Sequence, residues 1–321
     1  MKAIVTGGTG FIGRHLIDRL LAQGCEVWAL VRDPAKAAEL EKKNVRPLRG
    51  DLFAIPPLPD GFDLVFHLAG CTRSLDSASY YNVNQAGTAS LCRSLAAARS
   101  NFKLILLSSI AAGGPSPADR PVREDDAPHP VSAYGRSKLL GEQEVLKYRG
   151  EFPVIILRPS AVYGPGDRDF VEYFRMIKSV FFPVVRKQTK ASLCYVDDVT
   201  EALALSARKQ IPSGEIFNVA GPGSYDWEQV GDAAVRAMGI RPRKINISLQ
   251  VLYGASIASE VRSRLTGNIS LFCRDKYREL TQTGWVAETA KARAALSFEA
   301  RTSLEDGMAK TIAWYKKHGW L

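Results

Sequence analysis

Tyr134 stands four places ahead of Lys138 in the stretch "SAYGRSK", residues 132–138. On a helix, that spacing puts both side chains on one face. A phenol titrates near pH 10 in water, so it is a poor base at neutrality. A lysine ammonium one turn away would lower that value and let the phenol trade a proton with an alcohol or ketone oxygen. With 11 tyrosines in the chain, about one such pair arises by chance. The pair carries weight only if the surrounding chain builds a site around it.

The N-terminal segment builds the first part of such a site. "KAIVTG" (2–7) reads as a short buried strand. Gly8, Gly10 and Gly13 then fit G-x-G-x-x-G, and Gly7, Gly10 and Gly13 fit G-x-x-G-x-x-G. Ile12, Leu16 and Leu20 recur at helical spacing up to Gly24, and "EVWALV" (26–31) is the next strand. The glycines permit the turn, the approach of backbone to a pyrophosphate, and close packing of helix on strand. The helix N-terminus offers free N–H groups to the phosphates. Gly7, Gly10, Phe11, Ile12 and Gly13 are therefore expected to hold a dinucleotide; the plainer alternative is a tight structural turn. A carboxylate ending the second strand would bind both ribose hydroxyls of NAD. Here Arg32 follows Val31, with Lys36 nearby. A guanidinium pairs with a 2′-phosphate, so the expected cofactor is NADP(H), with NAD(H) the alternative. Asp33 is close by, and the competing reading leaves Arg32 in solvent or stacked on adenine.

Further strands are expected at 44–51, 63–70, 103–109 and 153–159, separated by helical patterns at 83–99 and 133–148. Alternation of this kind predicts an α/β Rossmann domain, a doubly wound parallel sheet with its ligands at the strands' carboxyl ends. The expected division is 1–166 for dinucleotide binding and 167–321 for a smaller, mostly helical substrate domain, with the chain returning to the sheet around 190–222.

The chain has 321 residues, 46% of them hydrophobic, which suffices for a large core. No internal repeat, signal peptide or membrane-length apolar run is read from it, so the expected location is the cytoplasm. Five scattered cysteines and four dispersed histidines suggest reduced thiols and no metal site. The net charge of +10 comes with no nucleic-acid motif, and a phosphate-bearing ligand explains it more economically.

The chain resembles the extended short-chain dehydrogenase/reductases, the superfamily that includes nucleotide-sugar epimerases and dehydratases. The matching pieces run in the family's order: "TGGTGFIG" (6–13), "GDL" (50–52), "HLAG" (67–70), "NQAGT" (84–88), "LLSSIA" (106–111), "YGRSK" (134–138), "LRPSAVYGPG" (157–166), "YVDDV" (195–199) and "FNVAG" (217–221). The resemblance implies that Tyr134 and Lys138 are the catalytic pair and Ser109 the serine that orients the substrate oxygen. Ser108 is then its structural neighbour. It implies that Lys138 also bonds the nicotinamide ribose, that Asp51 and Leu52 border the adenine, and that Ala69 and Gly70 line the cofactor. Asn84 matches the family's asparagine of structural or relay role. Arg158 and Tyr163 are expected near the nicotinamide, His67 as a packed strand residue, and Asp197 and Asp198 as a helix start. The helices at 83–99 and 133–148 are expected to pair in a homodimer.

The substrate is the less legible part. Where many nucleotide-sugar members carry an asparagine, the string "RPSA" has Ala161. That loses a polar contact and is similar to the 3β-hydroxysteroid dehydrogenase and dihydroflavonol reductase branch. The first expectation is net oxidoreduction of a secondary alcohol or ketone on a hydrophobic aglycone. The alternatives are a nucleotide-sugar epimerase or dehydratase that retains its NAD, and a cofactor-binding scaffold without turnover. The segments 167–193, with its basic and apolar string 178–187, and 226–280 are expected to shape the substrate site. Within 247–267, Leu252, Ile257, Val261 and Leu265 recur at helical intervals. They suggest a core-packing helix, or else an apolar lid or a surface that touches membrane.

Overall fold

Apolar runs without alternation suit a sheet covered on both faces. The computed structural model describes residues 1–98, 100–179, 181–185, 189–267 and 272–321. The chain begins with β1 (Lys2–Thr6), α1 (Phe11–Ala22), β2 (Glu26–Val31), α2 (Pro34–Glu41), β3 (Arg46–Arg49) and β4 (Leu64–His67). Next come α3 (Ser77–Tyr81), a π-helical turn (Asn82–Gly87), α4 (Thr88–Ala97), β5 (Lys103–Leu107), α5 (Ile110–Gly113), α6 (Ala133–Leu146) and β6 (Val154–Pro159). The chain continues through β7 (Ala161–Tyr163), α7 (Asp169–Ser179), β8 (Phe182–Val185), β9 (Lys190–Tyr195), α8 (Val196–Arg208) and β10 (Glu215–Val219). It ends with β11 (Ser224–Tyr225), α9 (Trp227–Met238), β12 (Lys244–Ile247), α10 (Leu249–Thr266), α11 (Arg274–Leu280), β13 (Gly284–Trp285), α12 (Ala290–Leu296) and α13 (Leu304–Lys317).

Seven strands form one sheet in the order β10-β6-β5-β4-β1-β2-β3. Every pairing in it is parallel. All residues of β4 and β6 are buried. Successive residues serve opposite faces: Val5, Phe66 and Ile105 join the core beneath α1 and α8, while Ile4, Val65 and Leu104 join the one beneath α4 and α6. After β3 the chain crosses to β4 on the other side of β1. This reversal opens a crevice at the carboxyl ends of β1 and β4.

A second core gathers Phe174 of α7, Ala234 of α9, and Met308 and Ile312 of α13 against β9. Tyr315 is fully buried there, and its hydroxyl donates to Asp167 O at 2.7 Å. This unit is mostly helical, with two small sheets: β11-β9-β13 joined by β7, and the β8-β12 pair. No described helix is long and apolar enough to cross a membrane. Arg99, at the end of the expected helix, and Val180, Arg186 and Lys187 of the basic string lie outside the described residues.

Two expectations change. The single helix expected at 83–99 is divided by the π turn at Asn82–Gly87. There the Thr88 hydroxyl donates to the Asn84 carbonyl at 2.7 Å, taking up a backbone acceptor that the widened turn exposes. The core-packing helix expected within 247–267 is the second. In α10 the buried residues are Ser256 and Ser263, whereas Val251, Ile257, Val261 and Leu265 are exposed. Of the residues expected to pack, Ile257, Val261 and Leu265 share an exposed face, whereas Leu252 is half-buried on the other side of the helix.

Candidate functional site

The glycine turn after β1 is shaped as its sequence requires. Gly7 has φ +73°, and a Cβ there would sit 2.6 Å from Ala69 N, so side chains are excluded on two counts. A Cβ on Gly13 would collide with the Gly7 carbonyl. Helix α1 starts at Phe11 with Gly10 as N-cap, with no side-chain cap and no acid in its first turn. Its first N–H groups therefore face the crevice undiluted by any carboxylate. A pyrophosphate fits this cradle, held by the backbone of Gly7 to Gly13 with Phe11 and Ile12 at the helix start.

Arg32 follows β2, is exposed, and makes no ion pair among the described residues. Asp33 is committed elsewhere: its carboxylate accepts from Ala35 N at 2.9 Å and caps α2. The cation is thus left to address whatever the crevice binds. Asp51 turns its carboxylate onto Phe53 N and Ala54 N, at 2.8 and 2.9 Å, and Leu52 is buried beside Gly87. This fixes the loop that is expected to border the adenine.

Beyond β4, a hydrogen-bond chain sets the loop carrying Ala69 and Gly70. Ala69 N donates to Thr6 Oγ1 at 3.2 Å, and Thr6 Oγ1 lies 2.6 Å from His67 Nδ1. His67 Nε2 lies 2.9 Å from Thr88 Oγ1, which itself donates to Asn84 O. Because the Thr88 hydrogen is already given to Asn84, Nε2 must carry the imidazole proton and Nδ1 must accept from Thr6. Burial, reinforced by the Lys138 charge, lowers His67 to about 3, so the ring is neutral. His67 is therefore more than a packed strand residue; it locks β1, β4 and α4 together.

Asn84 is buried and bonded on every side by protein. Its amide donates to Cys71 O at 3.0 Å and Ser137 Oγ at 2.9 Å, and its oxygen accepts from Cys71 N at 2.8 Å. Ser137 in turn donates to Tyr134 O at 2.7 Å. Asn84 thus couples the loop after β4 to the helix carrying Tyr134.

Helix α6 brings Tyr134 and Lys138 to the carboxyl ends of β4 and β5. Lys138 is buried, donates to Leu107 O at 2.7 Å, and lies close to Gly70. Burial lowers it to about 8, while Glu142, one turn further along, works in the opposite direction. Ser109 follows β5, caps α5 through Ala111 N, and lies beside Tyr134. The Tyr134 pKa moves opposite to the sequence expectation. Burial pushes it well above the ordinary phenol value, the Ser109 hydroxyl lowers it, and Glu279 and Asp169 add to the rise. Tyr134 is a protonated phenol here, and burial makes it hold that proton more tightly than a phenol in water does.

Ser108 points the other way. It donates to Glu142 Oε1 at 2.5 Å, and Arg158 binds the same carboxylate through Nε at 2.8 Å and Nη2 at 2.6 Å. Arg158 therefore lies under the serine loop. Tyr163, expected near the nicotinamide, packs instead in the second core against Phe170 and Tyr195. Asp197 and Asp198 open α8; Asp198 accepts from Arg301 N and Thr302 N, both at 3.2 Å, a purely structural use.

Sequence reasoning missed the groups that hold the start of α6. Asp275 accepts from Ala133 N and Glu279 from Ser132 Oγ, both at 2.7 Å. Tyr80 meets the Tyr134 ring edge-on at 6.1 Å between centroids. Arg73, in the loop after β4, pairs with Asp169 and Glu172 of α7. The capping serine before "AYG" was a readable signal; acids some 140 residues away were not.

Comparison with known proteins agrees with this geometry. Residues 3–220 match the NAD dependent epimerase/dehydratase family. A ceramide reductase of Caulobacter vibrioides is 31% identical over 323 aligned residues, covering 99% of this chain and 95% of the relative. A 4-hydroxy-2-methyl-3-oxo-4-farnesyl-3,4-dihydroquinoline-1-oxide ketoreductase of Stigmatella aurantiaca is 28% identical, covering 81% of this chain and 80% of its own. The solved structure of MoeE5 in complex with UDP-glucuronic acid and NAD superposes with a TM-score of 0.79 at 26% identity, covering 99% of this chain and 100% of that one. Matched over two thirds of its length by the family and nearly end to end by the ceramide reductase, the chain belongs to the NAD-dependent epimerase/dehydratase family of extended short-chain dehydrogenase/reductases and is an enzyme.

Proposed function

We propose that this enzyme reduces a ketone on a hydrophobic, lipid-like molecule to a secondary alcohol, using NADP(H). The observation that carries the reading is that α6 sets Tyr134 one turn from the buried Lys138, which is anchored on Leu107 O at the end of β5, with Ser109 just beyond. A bound reduced nicotinamide supplies the hydride to the carbonyl carbon. Tyr134 gives its phenolic proton to the carbonyl oxygen as the C=O bond becomes C–O–H. Ser109 holds that oxygen in place. Lys138, below its ordinary range, keeps its charge at neutral pH and stabilises the phenolate left behind. Arg32 would hold the 2′-phosphate of NADP(H).

Two relatives that match most of the chain are named for reducing a ceramide and a farnesylated quinoline oxide, both long apolar molecules. Ala161 supports an aglycone over a sugar diphosphate. The second reading, a nucleotide-sugar epimerase with retained NAD, is favoured by the UDP-sugar complexes among the structural neighbours.

The test is loss of NADPH or NADH absorbance with purified protein and a panel of long-chain ketones. Tyr134→Phe should lower turnover by about 10²–10⁴-fold while leaving NADPH affinity within about twofold. Retained turnover in Tyr134→Phe would overturn the assignment. Tightly bound NAD released on denaturation, with no net consumption, would select the epimerase reading.

A further inference from the structure

Helix α10 carries an apolar stripe on its outer face. A helix lying on a protein normally turns its apolar stripe inward and its polar residues to water. Here the inward face holds the buried Ser256 and Ser263 with Leu249 and Leu252 half-buried beside them. At 100° per residue, Val251, Gly254, Ala258, Val261 and Leu265 fall within an arc of about 80°, and all five are exposed. Leu265 is 82% exposed, Val251 61% and Val261 51%. Ile257 widens the stripe, and Ile245 of β12, four residues before α10, is also exposed.

The sequence around this stripe is predominantly basic, although Lys244 pairs with Glu228 and Asp232. From residue 241 to 274 the basic residues are Arg241, Arg243, Lys244, Arg262, Arg264 and Arg274, and the only acid is Glu260. That acid is committed, because both its oxygens bind Arg274 at 2.8 Å. Arg262 and Arg264 are exposed on the two borders of the stripe. An apolar face edged by arginines matches a surface that is apolar within and anionic at its rim.

We propose that α10 docks this enzyme onto an anionic phospholipid surface, with Val251, Val261 and Leu265 entering the acyl boundary and Arg262 and Arg264 meeting phosphates. The docked helix is tied to the candidate active site. Tyr253 of α10 packs on Tyr277 of α11 with 5.2 Å between centroids, and Glu260 binds Arg274. Asp275 and Glu279 of that same helix hold Ala133 and Ser132, next to Tyr134. Docking through α10 would thus act on a neighbour, α11, that itself holds the start of α6. The inference draws on the proposed function only for the benefit of that arrangement; vesicle binding is read without turnover, so either can fail alone.

The experiment is flotation of the full chain with vesicles of phosphatidylcholine, and of phosphatidylcholine mixed with an equal amount of phosphatidylglycerol. The expected result is binding to the anionic vesicles and not to the neutral ones, weakened by salt. Val261→Ser with Leu265→Ser leaves the net charge unchanged and should lower binding at least about tenfold. Arg262→Gln with Arg264→Gln should also lower it. Wild-type protein that stays unbound overturns the proposal. So does a serine variant that binds as well as wild type, because charge elsewhere on the molecule would then be responsible. A wild-type dimer that the serine variant dissociates, without vesicle binding, would assign the face to a second copy and overturn it as well.

Discussion

The carboxylate of Glu142 is the point where stability and proton chemistry meet. It is 1% exposed, and its partner Arg158 is 3% exposed. Three hydrogen bonds reach it, at 2.8, 2.6 and 2.5 Å, two from Arg158 and one from Ser108. Arg158→Met leaves this buried charge with a hydroxyl alone. Stranding one member of such a pair costs about 3–5 kcal/mol. Arg158→Met with Glu142→Leu removes both charges, and it should recover most of that loss, giving a coupling of about 2 kcal/mol or more. Urea unfolding of the full chain at one pH measures all three variants. A second readout separates this pair from an ordinary core contact. Glu142 raises Lys138 against the larger lowering by burial. Glu142→Gln should therefore move Lys138 below about 8, and the loss of turnover at alkaline pH should begin at lower pH. If Arg158→Met costs less than about 1 kcal/mol, or the double variant loses the sum of the singles, the pair is not what holds the serine loop.

Other outcomes follow from the same geometry. His67 has a folded value near 3 against 6.5 in the unfolded chain, so the unfolded state binds its proton first as pH falls. Stability should therefore be full above about pH 6.5 and decline by about 1.4 kcal/mol per pH unit toward pH 3; His67→Gln should remove that component, and an unchanged slope would show another group responsible. Arg32→Asp should lower the preference for NADPH over NADH at least about tenfold, because a carboxylate replaces the cation proposed to hold the 2′-phosphate. Equal preference in both proteins would detach Arg32 from cofactor choice. Ser109→Ala should reduce kcat more than it raises KM, since its bond serves the oxygen under reaction; a change in KM alone would make it a binding group.

What the amino-acid order reveals divides along physical lines. Gly7, Gly10 and Gly13 announce their turn because backbone angle and close approach are local demands. Tyr134 and Lys138 share a helix turn, so their spacing is also local. The face on which α10 is apolar could be read from Val251, Val261 and Leu265, but what lies opposite that face depends on tertiary packing. The rise in the Tyr134 pKa depends on burial by Tyr80 and on Glu279, which no neighbouring letter records. The π turn at Asn84 is set by contacts with α6 and the loop after β4, against a helical pattern that reads as continuous. Tyr163 looked like part of the cofactor site because it sits in a family motif, yet the next strand turns it into the second core.

The bonds from Asp275 to Ala133 and from Glu279 to Ser132 bear on the order in which the molecule is made. They join residues 142 and 147 positions apart. On the ribosome the glycine cradle and the first six strands of the sheet emerge well before either acid is synthesised, and domains fold as they emerge. A nascent chain can thus assemble a nucleotide-binding sheet while the first turn of α6 still lacks its partners. Residues 275–279 complete that turn late, so the helix start beside Tyr134 gains its partners after the glycine cradle has formed, in a chain almost fully translated.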